Sequence, residues 1–183
     1  SFFKNKKSCG ISSARAGNVI GGGDWSEKRL IPACIRSLIK NKVILLRNPN
    51  SVRPWQFVLE PLKGYLILAK KQFENPSNYS DAWNFAPDSK SAIDVQKIVK
   101  YMINFWGKGK MKTMKNNNFY ERKHLRIDAK KAKKNLNWFS TYDVKNTVKI
   151  TTEWYLKVLK RGVNPRNITD EQIENYMDEN NWS

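Results

Sequence analysis

A chain of 183 residues, 40% of them hydrophobic and 12% aromatic, has the length and apolar content for one domain with a real core, which argues against a disordered chain. The net charge of +18 concentrates anions near the surface, yet the lysines are spread among asparagines with no recognition-helix, zinc-ligand or ribonucleoprotein pattern, so a dedicated nucleic-acid face is not indicated. No run approaches the ~20 apolar residues of a membrane span, no signal-peptide core follows Ser1, and His124 stands alone, short of a zinc site.

Residues 10–16 read as a strand that ends in the glycine-bearing loop 17–25. Apolar residues at 30, 31, 34, 35, 38 and 39 predict an amphipathic helix over 29–40, begun near Pro32. A strand over 43–46 is stopped by Asn48-Pro49-Asn50. The next helix, 60–73, sets Leu62, Tyr65, Leu66, Leu68 and Ala69 on its inner side. A short strand over 82–85 precedes a helix over 92–106, and the polar stretch 107–118 is expected to be a mobile loop. Leu125, Arg126 and Ile127 look strand-like, and Asp128 is placed to cap a basic helix over 129–136. The last long helix covers 143–159. Residues 161–183 form a tail with a short helix of one or two turns.

Strands alternating with helices predict an α/β architecture with parallel pairing. Cys9 and Cys34 are expected to be buried free thiols, as suits a reducing cytoplasm. Gly21-Gly22-Gly23 is the only glycine cluster, and it is not the G-x-G-x-x-G of a dinucleotide cradle. It is expected to let backbone pass close to a ligand.

Three segments carry a more specific signal: residues 13–25, ending in Gly-Gly-Gly-Asp-Trp; residues 47–56, containing Val-Arg-Pro-Trp-Gln; and Trp83-Asn84-Phe85-Ala86-Pro87. In that order they resemble the CDP-glucose 4,6-dehydratase family of nucleotide-sugar dehydratases, within the extended short-chain dehydrogenases/reductases. Arg29-Leu30-Ile31-Pro32, Leu59-Glu60-Pro61-Leu62, Leu136-Asn137-Trp138 and Glu153-Trp154-Tyr155 extend the match. The resemblance implies the C-terminal part of a Rossmann-type NAD(P)-binding fold, interleaved over residues 1–160 with a small substrate-binding lobe. It also implies a hydro-lyase acting on a CDP-sugar with NAD as cofactor, a homodimeric parent, a cytoplasmic setting and a role in deoxysugars for surface polysaccharides. The family's glycine-rich loop and its Tyr-x-x-x-Lys pair do not occur here, so the chain is expected to be the substrate side of such an enzyme, inactive alone.

Through the resemblance, Arg53 is expected to bind the substrate diphosphate, for which a planar guanidinium offers two parallel charge-assisted bonds. Asn18 matches the family asparagine that reaches the same diphosphate, and Asn84 matches a position near the substrate. Arg29 and Leu30 are expected to flank the pocket, with Ile44 and Arg47 near the base. Trp25, Trp55, Trp83 and Trp138 are candidates for base stacking, though core packing is the more expected role for each. Tyr120-Glu121 stands where the family has a His-Glu pair, and the lysines of 130–134 read as a solvated face. Two alternatives stand beside this reading. One is another sugar-nucleotide dehydratase or epimerase. The other is a noncatalytic basic module for nucleotides or nucleic acid.

Overall fold

The computed structural model describes residues 9–88, 91–114 and 127–182. The first predicted strand is shortened to β1 (Ser13–Ala16), and β2 (Asn18–Ile20) lies in the stretch expected to be a loop, with Gly17 between the two. Packing accounts for the break: a Cβ on Gly17 would stand 2.7 Å from the Pro54 carbonyl oxygen, while the Gly17 N–H donates to the Phe85 carbonyl at 3.2 Å. The helix α1 (Leu30–Ile39) and the strands β3 (Ile44–Leu46) and β4 (Val52–Phe57) follow.

After α2 (Leu59–Glu74), the single turn α3 (Pro76–Tyr79) leads into β5 (Ala82–Phe85). β1 pairs in parallel with β5, and β2 in parallel with β4. The expected α/β organisation with parallel pairing is therefore present. One strand is not parallel: β6 (Ala92–Asp94) runs antiparallel to β4, with Arg53 opposite Ile93. Residues 92–94 were expected to be the first turn of a helix. Instead α4 (Val95–Trp106) starts after Asp94, whose Oδ1 accepts the Lys97 N–H at 2.7 Å. The helical apolar spacing runs back to Ile93, so only the cap marks the true start.

A second correction concerns the stretch expected to be a mobile loop. β7 (Met111–Thr113) lies within it and pairs in parallel with β3. Residues 125 and 126 of the strand expected at 125–127, together with Tyr120, Glu121 and His124, lie outside the described residues. The remaining helices are α5 (Lys130–Leu136), α6 (Val144–Arg161) and α7 (Pro165–Glu179). Asp143 caps α6 by accepting the Asn146 N–H at 2.7 Å. The tail holds a 15-residue helix rather than one or two turns, because Ile168 and Tyr176 are 1% and 2% exposed against the body of the fold.

Two apolar clusters make the core. The larger gathers residues of α1, α4 and α6 with β2, β3 and β4; the smaller joins α2, α5 and β5 around Trp83, Phe85 and Trp138. The inner face of α2 differs from the one expected. Leu62 and Leu66 are 44% and 59% exposed, and the buried stripe is Glu60, Pro61, Gly64 and Leu68. Gly64 sits against Phe85, where a Cβ would come within 2.3 Å of the ring. A charged residue and a glycine thus define the buried side, and a count of apolar side chains passes over both. Cys34 is buried, which pushes its thiol up to about 12; Cys9 is free but exposed, since it precedes β1 instead of lying in it.

Three phenols report on this packing. Burial pushes Tyr155 and Tyr142 up to about 12, and it raises Tyr176 as well. The fold favours the neutral phenols, so their contribution to stability is whole below the ordinary tyrosine range near ~10 and is lost as pH rises from there through about 12. An alkaline titration is expected to show circular dichroism and phenolate absorbance changing together in that window. Full phenolate signal near pH ~10 with unchanged dichroism would contradict this packing.

Candidate functional site

The strands β2 and β4 bring two of the expected site residues to one face. Asn18 is paired with Trp55, and neighbouring residues in a parallel register share a face. Arg53, two residues earlier on β4, comes to that same face. The residue is unusually enclosed for an arginine, 8% exposed, with Nη1 donating to the Val52 carbonyl at 2.8 Å. The backbone leading to it is tied down on both sides. The Val95 and Gln96 N–H groups donate to the Ser51 and Pro49 carbonyls at 3.1 and 3.0 Å, and Pro54 restricts the next step of the chain. An arginine held in this way loses little entropy on meeting a phosphate.

The loop after β2 is stitched into place as firmly. Asp24 Oδ1 accepts the Ser26 N–H at 2.9 Å, and its Oδ2 faces Arg29 Nη1 at 3.3 Å. Burial alone would raise the Asp24 carboxyl, but the Ser26 and Arg29 contacts more than offset it and hold the group below the usual carboxylate range. The Tyr155 hydroxyl donates to the Asp24 carbonyl at 2.7 Å, and Trp25 meets the Tyr155 ring edge-on at 5.3 Å. Arg36 donates to the carbonyls of Trp25, Ser26 and Glu27, closing the loop onto α1. The glycines ahead of it approach the protein's own side chains. A Cβ on Gly21 would meet Val58 at 2.8 Å, and one on Gly22 would meet Trp154 at 2.1 Å. The close approach expected for a ligand is taken at both positions by the fold.

The other expected site residues are dispersed. Arg29 is the N-cap residue of α1, its side chain 68% exposed, and Leu30 opens the helix and packs on the larger cluster. Ile44 is a core residue, 3% exposed; strand alternation turns Leu45, 59% exposed, outward in its place. Arg47 is exposed just beyond β3. Asn84 lies on β5, and its Nδ2 donates to the Asp128 carbonyl at 3.1 Å, so its amide joins the strand to the entry of α5. Of the four tryptophans, Trp55, Trp83 and Trp138 are core residues, and Trp25, 44% exposed, is the one with ring surface to offer. The basic face of α5 is partly paired, Lys131 with Asp81 and Lys133 with Asp88.

Sequence reasoning passed over Gln56. This residue is 1% exposed, with Nε2 on the Phe85 carbonyl at 2.9 Å and a buried Oε1 that has no partner among the described residues. It stands where the pairs β1–β5 and β2–β4 meet, and a polar residue between the apolar Trp55 and Phe57 is the signal that could have flagged it. For NAD, the described residues do not fit. The one glycine cluster is filled by Val58 and Trp154, so it leaves no cradle for a pyrophosphate. No group of metal-ligating side chains is present among the described residues.

Comparison with known proteins bears on what this arrangement serves. No protein-family model matches the sequence. The chain is 38% identical over 169 residues, 92% of its length, to the CDP-glucose 4,6-dehydratase of Salmonella typhimurium, of which it spans 47%. Among solved structures, the fold is similar to the dTDP-glucose 4,6-dehydratase of Bacillus anthracis in complex with NAD, at a TM-score of 0.67 and 19% identity, covering 80% of this chain and 45% of that one. An epimerase from Methanothermobacter thermautotrophicus gives a TM-score of 0.73 at 16% identity, covering 87% and 47%. The chain thus spans about half the length of the relatives it matches. The α/β fold is that of the Rossmann-type sugar-nucleotide dehydratases and epimerases, and the sequence is similar to a CDP-glucose 4,6-dehydratase.

Proposed function

Proceeding from that likeness, we propose that the chain supplies the substrate-holding side of a nucleotide-sugar 4,6-dehydratase that converts CDP-glucose to CDP-4-keto-6-deoxyglucose. The observation that supports this reading best is Arg53, enclosed on β4 and sharing a face with Asn18 on the adjoining strand. In this proposal Arg53 takes the diphosphate with its guanidinium fork, Asn18 donates an amide hydrogen bond beside it, and Arg47 and Leu45 border the base. Asn84 acts through the backbone of residue 128 and holds the edge of the pocket. Arg29 braces the loop 21–28 through Asp24. The elimination of water, with NAD as hydride carrier, belongs to the full-length homodimeric enzyme. The chain alone is expected to give no turnover of CDP-glucose.

Calorimetric titration with CDP tests the assignment. Replacing Arg53 with alanine is expected to weaken binding by about tenfold to a hundredfold, the equivalent of ~1.5–3 kcal/mol for a charge-assisted contact. Arg53→Lys is expected to recover only part of it, because the charge returns without the fork. Lys130→Ala, on the exposed face of α5, should change little, since ions screen it over about 8 Å. Equal losses for Arg53→Ala and Lys130→Ala would show diffuse attraction in place of a site, and turnover by the chain alone would overturn the division of labour.

A further inference from the structure

One concave feature uses none of the residues assigned to the nucleotide-sugar. It is a groove of about 250 Å³ where the C-terminal ends of α1, α4 and α6 come together. Its floor is apolar, formed by Leu38, Trp106 and Leu159, and Ile39, Lys108 and Lys160 stand on its walls. Ile39 and Leu159 are 44% and 40% exposed, so the apolar surface is open to a partner. Lys160 Nζ lies 4.5 Å from the centroid of the Trp106 ring, which places a cation directly on the aromatic wall.

The charge around the groove is of one sign. The lining residues stand in the runs 28–59, 95–114 and 154–169 of the chain, and none of these runs contains an aspartate or a glutamate. Lys40, Lys42, Lys110 and Arg161 are all exposed and adjoin the lining residues along the chain. Glu171 does approach α6 from α7, but it is paired with Lys157 at 2.8 Å. Lysines at helix C-termini complement the helix dipole, which explains Lys40 and Lys160. It does not explain Lys108 and Lys110, which lie beyond α4, or the apolar floor between the cations.

We propose that this groove is a docking site for an acidic peptide segment of a partner protein, one that carries apolar side chains between its carboxylates. The carboxylates meet the lysine rim and an apolar anchor covers Ile39 and Leu159. Charge complementarity sets the sign of the partner. The exposed aliphatic surface of Ile39 and Leu159 favours a peptide over a nucleic acid, whose backbone offers phosphate but no aliphatic anchor.

Fluorescence anisotropy with a short labelled peptide of alternating aspartate and leucine tests the proposal, with poly-aspartate of equal length and duplex DNA as the competing probes. The alternating peptide is expected to bind at least about tenfold more tightly than poly-aspartate at physiological salt, because only it fills the floor. Lys108→Glu with Lys160→Glu is expected to weaken it by about tenfold or more, and Ile39→Asp by a similar factor. The reversal of Lys130 and Lys134 on α5 is expected to change binding by less than about threefold. Far-UV circular dichroism checks that each variant is folded, and all five positions are on the surface. Equal binding of the two peptides, equal loss from the two pairs of lysines, or tighter binding of DNA would each overturn the proposal. The last would assign the groove to nucleic acid.

Discussion

Replacing Glu60 with alanine is expected to destabilise the chain by about 3–5 kcal/mol, a large share of the ~5–15 kcal/mol that holds an ordinary domain together. Glu60 is wholly buried at the start of α2, and four donor contacts converge on its carboxyl group. The Thr141 N–H reaches both oxygens at 2.9 and 3.0 Å, the Tyr142 N–H reaches Oε1 at 2.8 Å, and the Tyr176 hydroxyl reaches Oε2 at 2.8 Å. The residue's own carbonyl accepts the Trp138 indole N–H at 2.9 Å. One side chain therefore fastens α2 to the 138–142 turn and to α7. Lys63, one turn further along α2, donates to the Phe139 carbonyl and to Asn180 Oδ1 at 3.1 and 2.6 Å, so it draws the same segments together. Alanine would leave two part-buried backbone donors and a buried phenol without this acceptor, each costing up to roughly 1–3 kcal/mol. Glu60→Gln should cost less, since one acceptor oxygen is kept while the new amide hydrogens oppose the remaining donors. Urea unfolding followed by tryptophan fluorescence measures both. A loss below about 1 kcal/mol for Glu60→Ala would mean that apolar packing alone docks α7.

The second large effect is expected at Gly22. An alanine Cβ would lie 2.1, 2.3 and 2.5 Å from three atoms of the Trp154 ring, far inside contact distance. The ring is poorly placed to yield. Trp154 is 6% exposed, its Nε1 donates to Thr169 Oγ1 at 3.0 Å, and its neighbour Tyr155 is bonded to the Asp24 carbonyl. Relief must come by moving the 21–28 loop away from α6, which breaks the Tyr155 contact as well. Gly22→Ala is expected to destabilise by at least the ~1–3 kcal/mol typical of overpacked cores and to change the near-UV signal of the tryptophans. Adding Trp154→Ala should make the glycine substitution nearly harmless, since the pair then no longer compete for one space. Gly162, left-handed but with open space around it, provides the contrast: alanine there should cost only about 1 kcal/mol through its backbone. If Gly22→Ala and Gly162→Ala are equally mild, the loop is not clamped by α6.

The clamp at Gly22 shows where reading the sequence alone succeeds and fails. The glycine cluster does not carry the spacing of a dinucleotide cradle, and the close approach it permits was expected to be to a ligand. What approaches is Trp154, more than a hundred residues away, and no local pattern names that partner. The same holds for α2. Its length was legible from spacing, but its buried stripe was not, because Glu60 turns inward only when the N–H groups of Thr141 and Tyr142, 81 and 82 residues distant, are there to receive it. Ile44 and Leu45 illustrate a milder case. A run of four apolar residues does not show which of them faces in, and the pairing of β3 with β7 decides it.

What the sequence determined by itself is the set of properties that depend on near neighbours. These are the alternation of strands and helices, the apolar periods of α1, α4 and α6, and the ordered strings that match a CDP-glucose 4,6-dehydratase. Each is carried by residues a few positions apart, within reach of one helical turn or one strand. The tertiary structure decided the strand β2 in the expected loop beyond Gly17, the antiparallel β6, the strand at 111–113 and the full length of the last helix. It also brought Asn18 and Arg53 onto one face. Each of these requires a hydrogen-bond or packing partner from a distant part of the chain, and which partners meet is settled only when the whole core closes.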